Sequence, residues 1–160
     1  RTIRVAFWGG EEQGLHGSRE YVVKHFGDPK DPKKGVTPEY EKFSAYFNQD
    51  YGAGRFRGIN LQGNEYVRRI FAEWMKPFHD LGLTAITIQS VGSTDHVSFD
   101  RAGLPGFQFL QDRVGIGGHA NMDFYDTLSA EDLMKNAVIM ASFAYHAAMS
   151  DERIPRKTMK

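Results

Sequence analysis

Four short stretches of this sequence carry side chains able to do chemistry. The first is Gly9-Gly10-Glu11-Glu12-Gln13-Gly14, directly after the apolar, β-rich run 3–8. Two adjacent carboxylates at a strand end repel each other, and they sit there comfortably only with a cation or water between them. For a bare Glu-Glu pair a solvated acidic turn is the commoner explanation. The second is Asp50, which ends FSAYFNQD; an acid in that place is often only a turn-former. The third is His119 in Gly117-Gly118-His119-Ala120-Asn121-Met122-Asp123, a Gly-rich loop in which backbone can approach a ligand closely. The fourth is Ser93-Thr94-Asp95-His96, after TAITIQ. A carboxylate beside such a site can orient metal ligands. The plainer account is a polar turn, with Thr94 or Asp95 capping the segment that contains Phe99.

Together these signals weigh more than they do singly. Glu12, Asp50 and His119 all fall at strand ends or in loops able to share one rim of a sheet. Carboxylate oxygen with imidazole nitrogen suits Zn²⁺ or a similar divalent ion. Glu11 is then a carboxylate left beside a metal, where a general base for an attacking water belongs. His16, four residues after Glu12, is a weaker candidate, and His25, His79 and His146 lie in predicted helices without a matched ligand partner.

The elements that must position these groups are legible as periodicities. Strands are expected at 3–8, 43–50, 56–61, 84–89 and 104–110. Helices are expected at 19–26, with Ser18 as cap, at 65–81, with Gly82 closing it, and at 130–149, opened by Ser129 with Asp132. The stretch 27–38 reads as an exposed loop, and the charged tail from Asp151 is expected to fray. Strands alternating with helices define an α/β class. Gly52-Ala53-Gly54 follows a strand, but no GxGxxG continues it, so a dinucleotide site is not supported.

Composition narrows the function. The chain has 160 residues, 41% of them apolar, enough for the core of one domain. Twenty Lys and Arg balance twenty Asp and Glu, which argues against a general nucleic-acid or anionic-membrane binder. The absence of Cys excludes disulfides, thiol catalysis and thiolate metal sites. No apolar run approaches the ~20 residues of a membrane span, and no signal peptide is visible. A chain that opens inside a strand is expected to be the later part of something longer.

The matching stretches RTIRVAFWGGEEQGLHGSREYV, FNQDYGAG, GSTDHVSFDRAGLPGFQFLQD and GGHANMDFYDTL resemble, in order and over almost the whole chain, the co-catalytic two-zinc exopeptidases. That family includes bacterial leucyl aminopeptidases, plasma glutamate carboxypeptidase and the related glutaminyl cyclases. The resemblance implies a three-layer α/β sandwich with a mixed, mostly parallel sheet flanked by helices, here without its N-terminal strands. It implies that residues 1–150 are the C-terminal part of one catalytic domain, with 151–160 a charged tail. It further implies Glu11 as general base, Glu12 and His119 as ligands of one zinc, Asp50 as ligand of the other, and Asp95 as a supporting carboxylate that binds no metal directly. Two Zn²⁺ would fill a complete site, and the substrate would be a peptide or dipeptide, in a secreted or periplasmic setting. The family's remaining two ligands, a His and a bridging Asp, come from a segment before the Glu-Glu strand that this sequence does not contain. The chain alone is therefore expected to be inactive. The rival expectations are a non-catalytic member of the same fold and a glutaminyl-cyclase-like enzyme.

Overall fold

The structure, a computed structural model, describes residues 1–31, 33, 35–50, 52–113 and 119–158. Its centre is a four-stranded sheet built from β3 (Tyr46–Asn48), β4 (Phe56–Asn60), β5 (Ala85–Thr87) and β6 (Gly106–Gln111). The spatial order is β3-β6-β4-β5. β3 with β6 and β4 with β5 are parallel, and β4 with β6 is antiparallel, so the sheet is mixed and mostly parallel as expected. The 27–38 stretch is not bare loop: β1 (Gly27–Asp28) and β2 (Gly35–Val36) form a small antiparallel pair, followed by the short α2 (Pro38–Lys42).

Period-2 alternation sends successive side chains of each strand to opposite faces. Phe107 and Phe109 of β6 face α3 (Arg68–Met75) and α5 (Ala130–Met149), where Phe71, Met75, Ile139, Phe143 and Ala147 close the larger core. On the other face, α1 (His16–Phe26) and α4 (His96–Arg101) pack Val22, Phe26 and Phe99 into a second aromatic cluster with Tyr40, Phe43 and Tyr46. The result is three layers. Burying each Phe contributes on the order of 1.5–3 kcal/mol, and the rings meet in tilted and edge-on contacts such as Phe71–Phe107 at 4.9 Å. The sheet itself tolerates little variation at Gly58, because a Cβ there would lie 1.9 Å from the Ala85 carbonyl oxygen of the neighbouring strand.

Several elements depart from expectation. The helix expected over 65–81 is α-helical only through α3, with 3-10 turns at Glu65–Val67 and Lys76–Leu81. Pro77 lacks the N–H an α-helix needs there, so the chain tightens instead. Gly82 ends it in the left-handed region (φ 85°), as expected. Ser18 is no cap. α1 begins earlier, at His16, and Ser18 is buried inside it, hydrogen-bonded to the Leu15 carbonyl and paired with Ser98 Oγ at 2.8 Å. Ser129 does cap α5, accepting from the Asp132 N–H at 3.2 Å.

Residues 3–8 form no strand, and Val5 and Phe7 are 81% and 95% exposed. Alternation is present: Trp8 Nε1 donates to Tyr46 Oη and Arg4 to Tyr21 Oη, while Ile3, Val5 and Phe7 face solvent. What is missing is a backbone ladder, which pattern alone cannot supply. The tail does not fray through residue 158. Ile154 is buried in the larger core, Asn64 Nδ2 donates to the Pro155 carbonyl at 2.7 Å, and Lys157 pairs with Asp100 at 2.6 Å. Arg156 lies 4.3 Å over the Tyr40 ring. A formally charged segment is thus a strap, held by one apolar anchor and by cations whose partners are distant in sequence.

Candidate active site

The Glu-Glu turn is built by the start of α1. The first helical N–H groups have no partner within the helix. Here His16 N–H donates to Gly10 O at 3.0 Å and Gly17 N–H to Gly9 O at 2.9 Å. Gly14 and Leu15 close the turn onto the Glu11 carbonyl at 3.0 and 2.9 Å. Gly17 has to be glycine, since a Cβ would lie 2.7 Å from Gly9 O. Glu11 and Glu12 are therefore presented on a turn clamped by backbone.

Asp50 follows β3 by two residues and shares its parity with Tyr46 and Asn48. These three define a polar seam. Trp8 Nε1 donates to Tyr46 Oη at 2.9 Å, Tyr46 Oη donates to Asn48 Oδ1 at 2.6 Å, and Asn48 Nδ2 donates to Gln108 Oε1 at 2.7 Å and Thr94 Oγ1 at 2.8 Å. Thr94 Oγ1 also accepts from the Asp95 N–H at 2.7 Å. The Thr94 side chain also acts on the nearby Asp50 carboxyl, lowering its proton affinity. Register places Asn48 opposite Gln108 and Gln108 opposite Asn60, so the seam crosses three strands.

His119 sits in the left-handed region (φ 66°), and its Nε2 lies 2.9 Å from Glu12 Oε1. Gly117 and Gly118 of the same motif lie outside the described residues. Both partners are largely exposed, and such a pair contributes only ~0–1 kcal/mol, so it joins the two groups without fixing them.

The structure thus brings all five candidates to one rim. Desolvation pushes the Glu11 carboxyl above its usual range, and the negative charges of Asp50, Glu12 and Asp95 push the same way, with His119 opposing. Partial desolvation likewise raises Asp50, with Thr94 and His119 opposing. Asp95 is buried, which raises its carboxyl, with Ser18 opposing, and one of its oxygens, Oδ1, has no hydrogen-bond partner. Three carboxylates, Glu11, Glu12 and Asp50, gather about one imidazole, with Asp95 beside Glu11 and Asp50. That donor set of oxygens and a nitrogen, crowded and short of positive charge, fits a divalent cation. Yet among the described residues no group of three or more His, Asp and Glu is arranged to hold a metal ion.

Thr94 and Ser18 were read from sequence as turn or cap residues, and the Tyr46–Asn48 seam was not singled out. The available signal was parity, since Tyr46, Asn48 and Asp50 alternate onto one face. His16 is not among the groups that act on Glu11 or Asp50; its ring packs by Gly10, with Cβ 3.2 Å from where a Gly10 Cβ would stand.

The fold is a three-layer α/β sandwich that carries a glutamate pair, an aspartate and a histidine on one rim. Residues 1–144 match Peptidase family M28, and the chain belongs to that family. It is 27% identical over 158 residues to carboxypeptidase Q of Mus musculus, covering 98% of this chain and 31% of that protein. Among solved structures it superposes on a Peptidase M28 precursor from Shewanella amazonensis with a TM-score of 0.65 at 23% identity, covering 96% of this chain and 33% of that one. A zinc aminopeptidase from Bacillus subtilis gives a TM-score of 0.59 at 25% identity, covering 88% and 34%. The chain spans about a third of the length of these relatives. No helix among the described residues is long and apolar enough to cross a membrane.

Proposed function

We propose that this chain supplies the general base and part of the metal-binding set of a zinc-dependent exopeptidase. The observation that carries this reading is the meeting of Glu12 and His119 at 2.9 Å beside Glu11, in a chain of Peptidase family M28. Glu12 and His119 would hold one zinc and Asp50 a second, with Asp95 and Thr94 supporting Asp50. A zinc held there would supply Lewis acidity and a bound water of lowered pKa.

The chain's own residues do the rest. Glu11 is partly withdrawn from solvent and surrounded by carboxylates, and both effects raise its proton affinity. A carboxylate in that state is a better base near neutral pH than a free glutamate. Its side chain would take the water's proton as the oxygen attacks a peptide carbonyl, and would return it to the leaving amine. Thr94, which accepts from Asn48 Nδ2 and the Asp95 N–H, would help to orient the Asp50 carboxylate.

The test separates the two roles in the longest polypeptide that carries this chain. Glu11→Gln is expected to lower hydrolysis of an aminoacyl or dipeptide substrate by ~10²–10⁴-fold, with zinc content unchanged. His119→Ala is expected to lower zinc affinity itself. Near-normal turnover in Glu11→Gln, or unchanged zinc content in His119→Ala, removes the corresponding assignment.

A further inference from the structure

The loop that brings Thr94 and Asp95 to the rim has little packing of its own. Of residues 88–93 only Val91 is half-buried, and the others are exposed. Thr94 and Asp95, directly after them, are buried. The backbone pairing of β4 with β5 continues beyond Asn60, with Leu61 N–H donating to Thr87 O at 2.8 Å and Gly63 N–H to Ile88 O at 3.0 Å. At Val91 a side chain takes over. Gln62 Nε2 donates to Val91 O at 2.9 Å, and Val91 N–H donates to Gln62 Oε1 at 2.7 Å. This reciprocal pair copies the two bonds that a residue of a neighbouring strand would make, and it fixes the orientation of the amide. His96 Nε2 lies 3.0 Å from the same Val91 carbonyl.

Gln62 is itself held in place. It is 2% exposed, and its backbone is left-handed (φ 50°), a conformation that a non-glycine residue keeps only where its surroundings enforce it. Lys157 of the tail donates to its carbonyl at 2.7 Å. Ser93, two residues after Val91, is left-handed as well (φ 63°). There the chain turns into Thr94, whose Oγ1 accepts from Asn48 Nδ2 at 2.8 Å. We infer that Gln62 is a positioning residue of the rim: its carboxamide replaces a backbone ladder at Val91 and so sets where Thr94 and Asp95 stand against Asp50 and Glu11. What the loop is positioned to do rests on the peptidase reading; that Gln62 positions it does not.

Two variants test this in the longest polypeptide that carries the chain, assayed well below the thermal midpoint. Gln62→Ala is expected to lower kcat for an aminoacyl or dipeptide substrate about 10-fold, with KM within about twofold, as when an orienting contact is lost and substrate binding is kept. Gln62→Glu gives a readout that a role in folding alone would not move. Protonated, the new carboxyl can make both bonds to Val91; ionised, it has no proton for the Val91 carbonyl. The ratio of its kcat to that of the wild type is expected to fall about 10-fold as pH rises from about 5 to about 8, the range in which a buried carboxyl ionises. A wild-type kcat in folded Gln62→Ala, or a ratio that does not change with pH, overturns the inference. If only Gln62→Ala fails to fold, Gln62→Glu decides; if neither folds, the inference falls. If the wild type hydrolyses no peptide, the peptidase reading fails instead, and hydrogen exchange decides on Gln62. The Asp95 N–H, bonded to Thr94 Oγ1, should then exchange about 10-fold faster in Gln62→Ala, and an unchanged rate overturns the inference.

Discussion

The α3–α5 side of the sheet and the acidic rim are built on opposite terms. On the first, Phe71, Phe107, Phe109 and Phe143 are fully buried, and each ring is held by several others. On the second, Glu12 and His119 stand mostly in solvent, while Glu11, Asp50 and Asp95 are kept near one another at an electrostatic cost. The packed side is almost wholly apolar, and its buried Asn136 is satisfied by the Phe56 N–H and the Gly54 carbonyl. The rim does the reverse, the arrangement expected where binding rather than folding selects the residues. The two regions touch through the sheet, since Phe47 faces the core while its neighbours Tyr46 and Asn48 face the seam that ends at Asp50.

Four substitutions would break or sharpen this contrast. The largest effect is expected from Phe143→Ala, about 3–5 kcal/mol lost in urea unfolding, because the cavity would sit among rings that cannot all collapse. Ile154→Ala comes next, at about 2–5 kcal/mol; a near-zero value would show that the strap is not part of the core. The third expectation has the opposite sign. The folded chain holds the Asp50 carboxyl above its usual value, so the folded state binds that proton more tightly than the unfolded state. Its contribution is complete below the ordinary carboxylate range and is lost as pH rises through the raised value. Asp50→Asn should therefore raise the thermal midpoint of the metal-free chain at neutral pH, and the gain should vanish toward about pH 4. Added zinc should reverse that ranking. Smallest of all, His119→Ala should leave metal-free stability within ~0.5 kcal/mol, measured in the same way.

Much of the packed side was legible in the sequence. The α5 limits, the Ser129 cap and the Gly82 stop were all read from local chemistry, because capping and helical periodicity act within a few residues. Three of the misreadings share a cause, unlike the 65–81 helix, which Pro77 interrupts locally. Ser18, the run 3–8 and the tail from Asp151 were each assigned by local character, whereas each was decided by partners far along the chain. Those partners are Ser98 for Ser18, Tyr46 for Trp8, and Asp100 and Tyr40 for the tail. In the rim, Glu11, Glu12, Asp50, Asp95 and His119 were visible as residue types, while the Thr94 and Asn48 hydrogen bonds were not, since a polar side chain in a strand does not reveal what stands opposite it.

The sequence by itself determined the α/β class, the alternating strand faces and the identity of the acidic rim, because these depend on periodicity and residue chemistry. Only the tertiary structure decided which carboxylates crowd one another, which donors reach Thr94 and that the charged tail is an anchor. Burial and hydrogen bonding join residues tens of positions apart, and no local pattern encodes that distance.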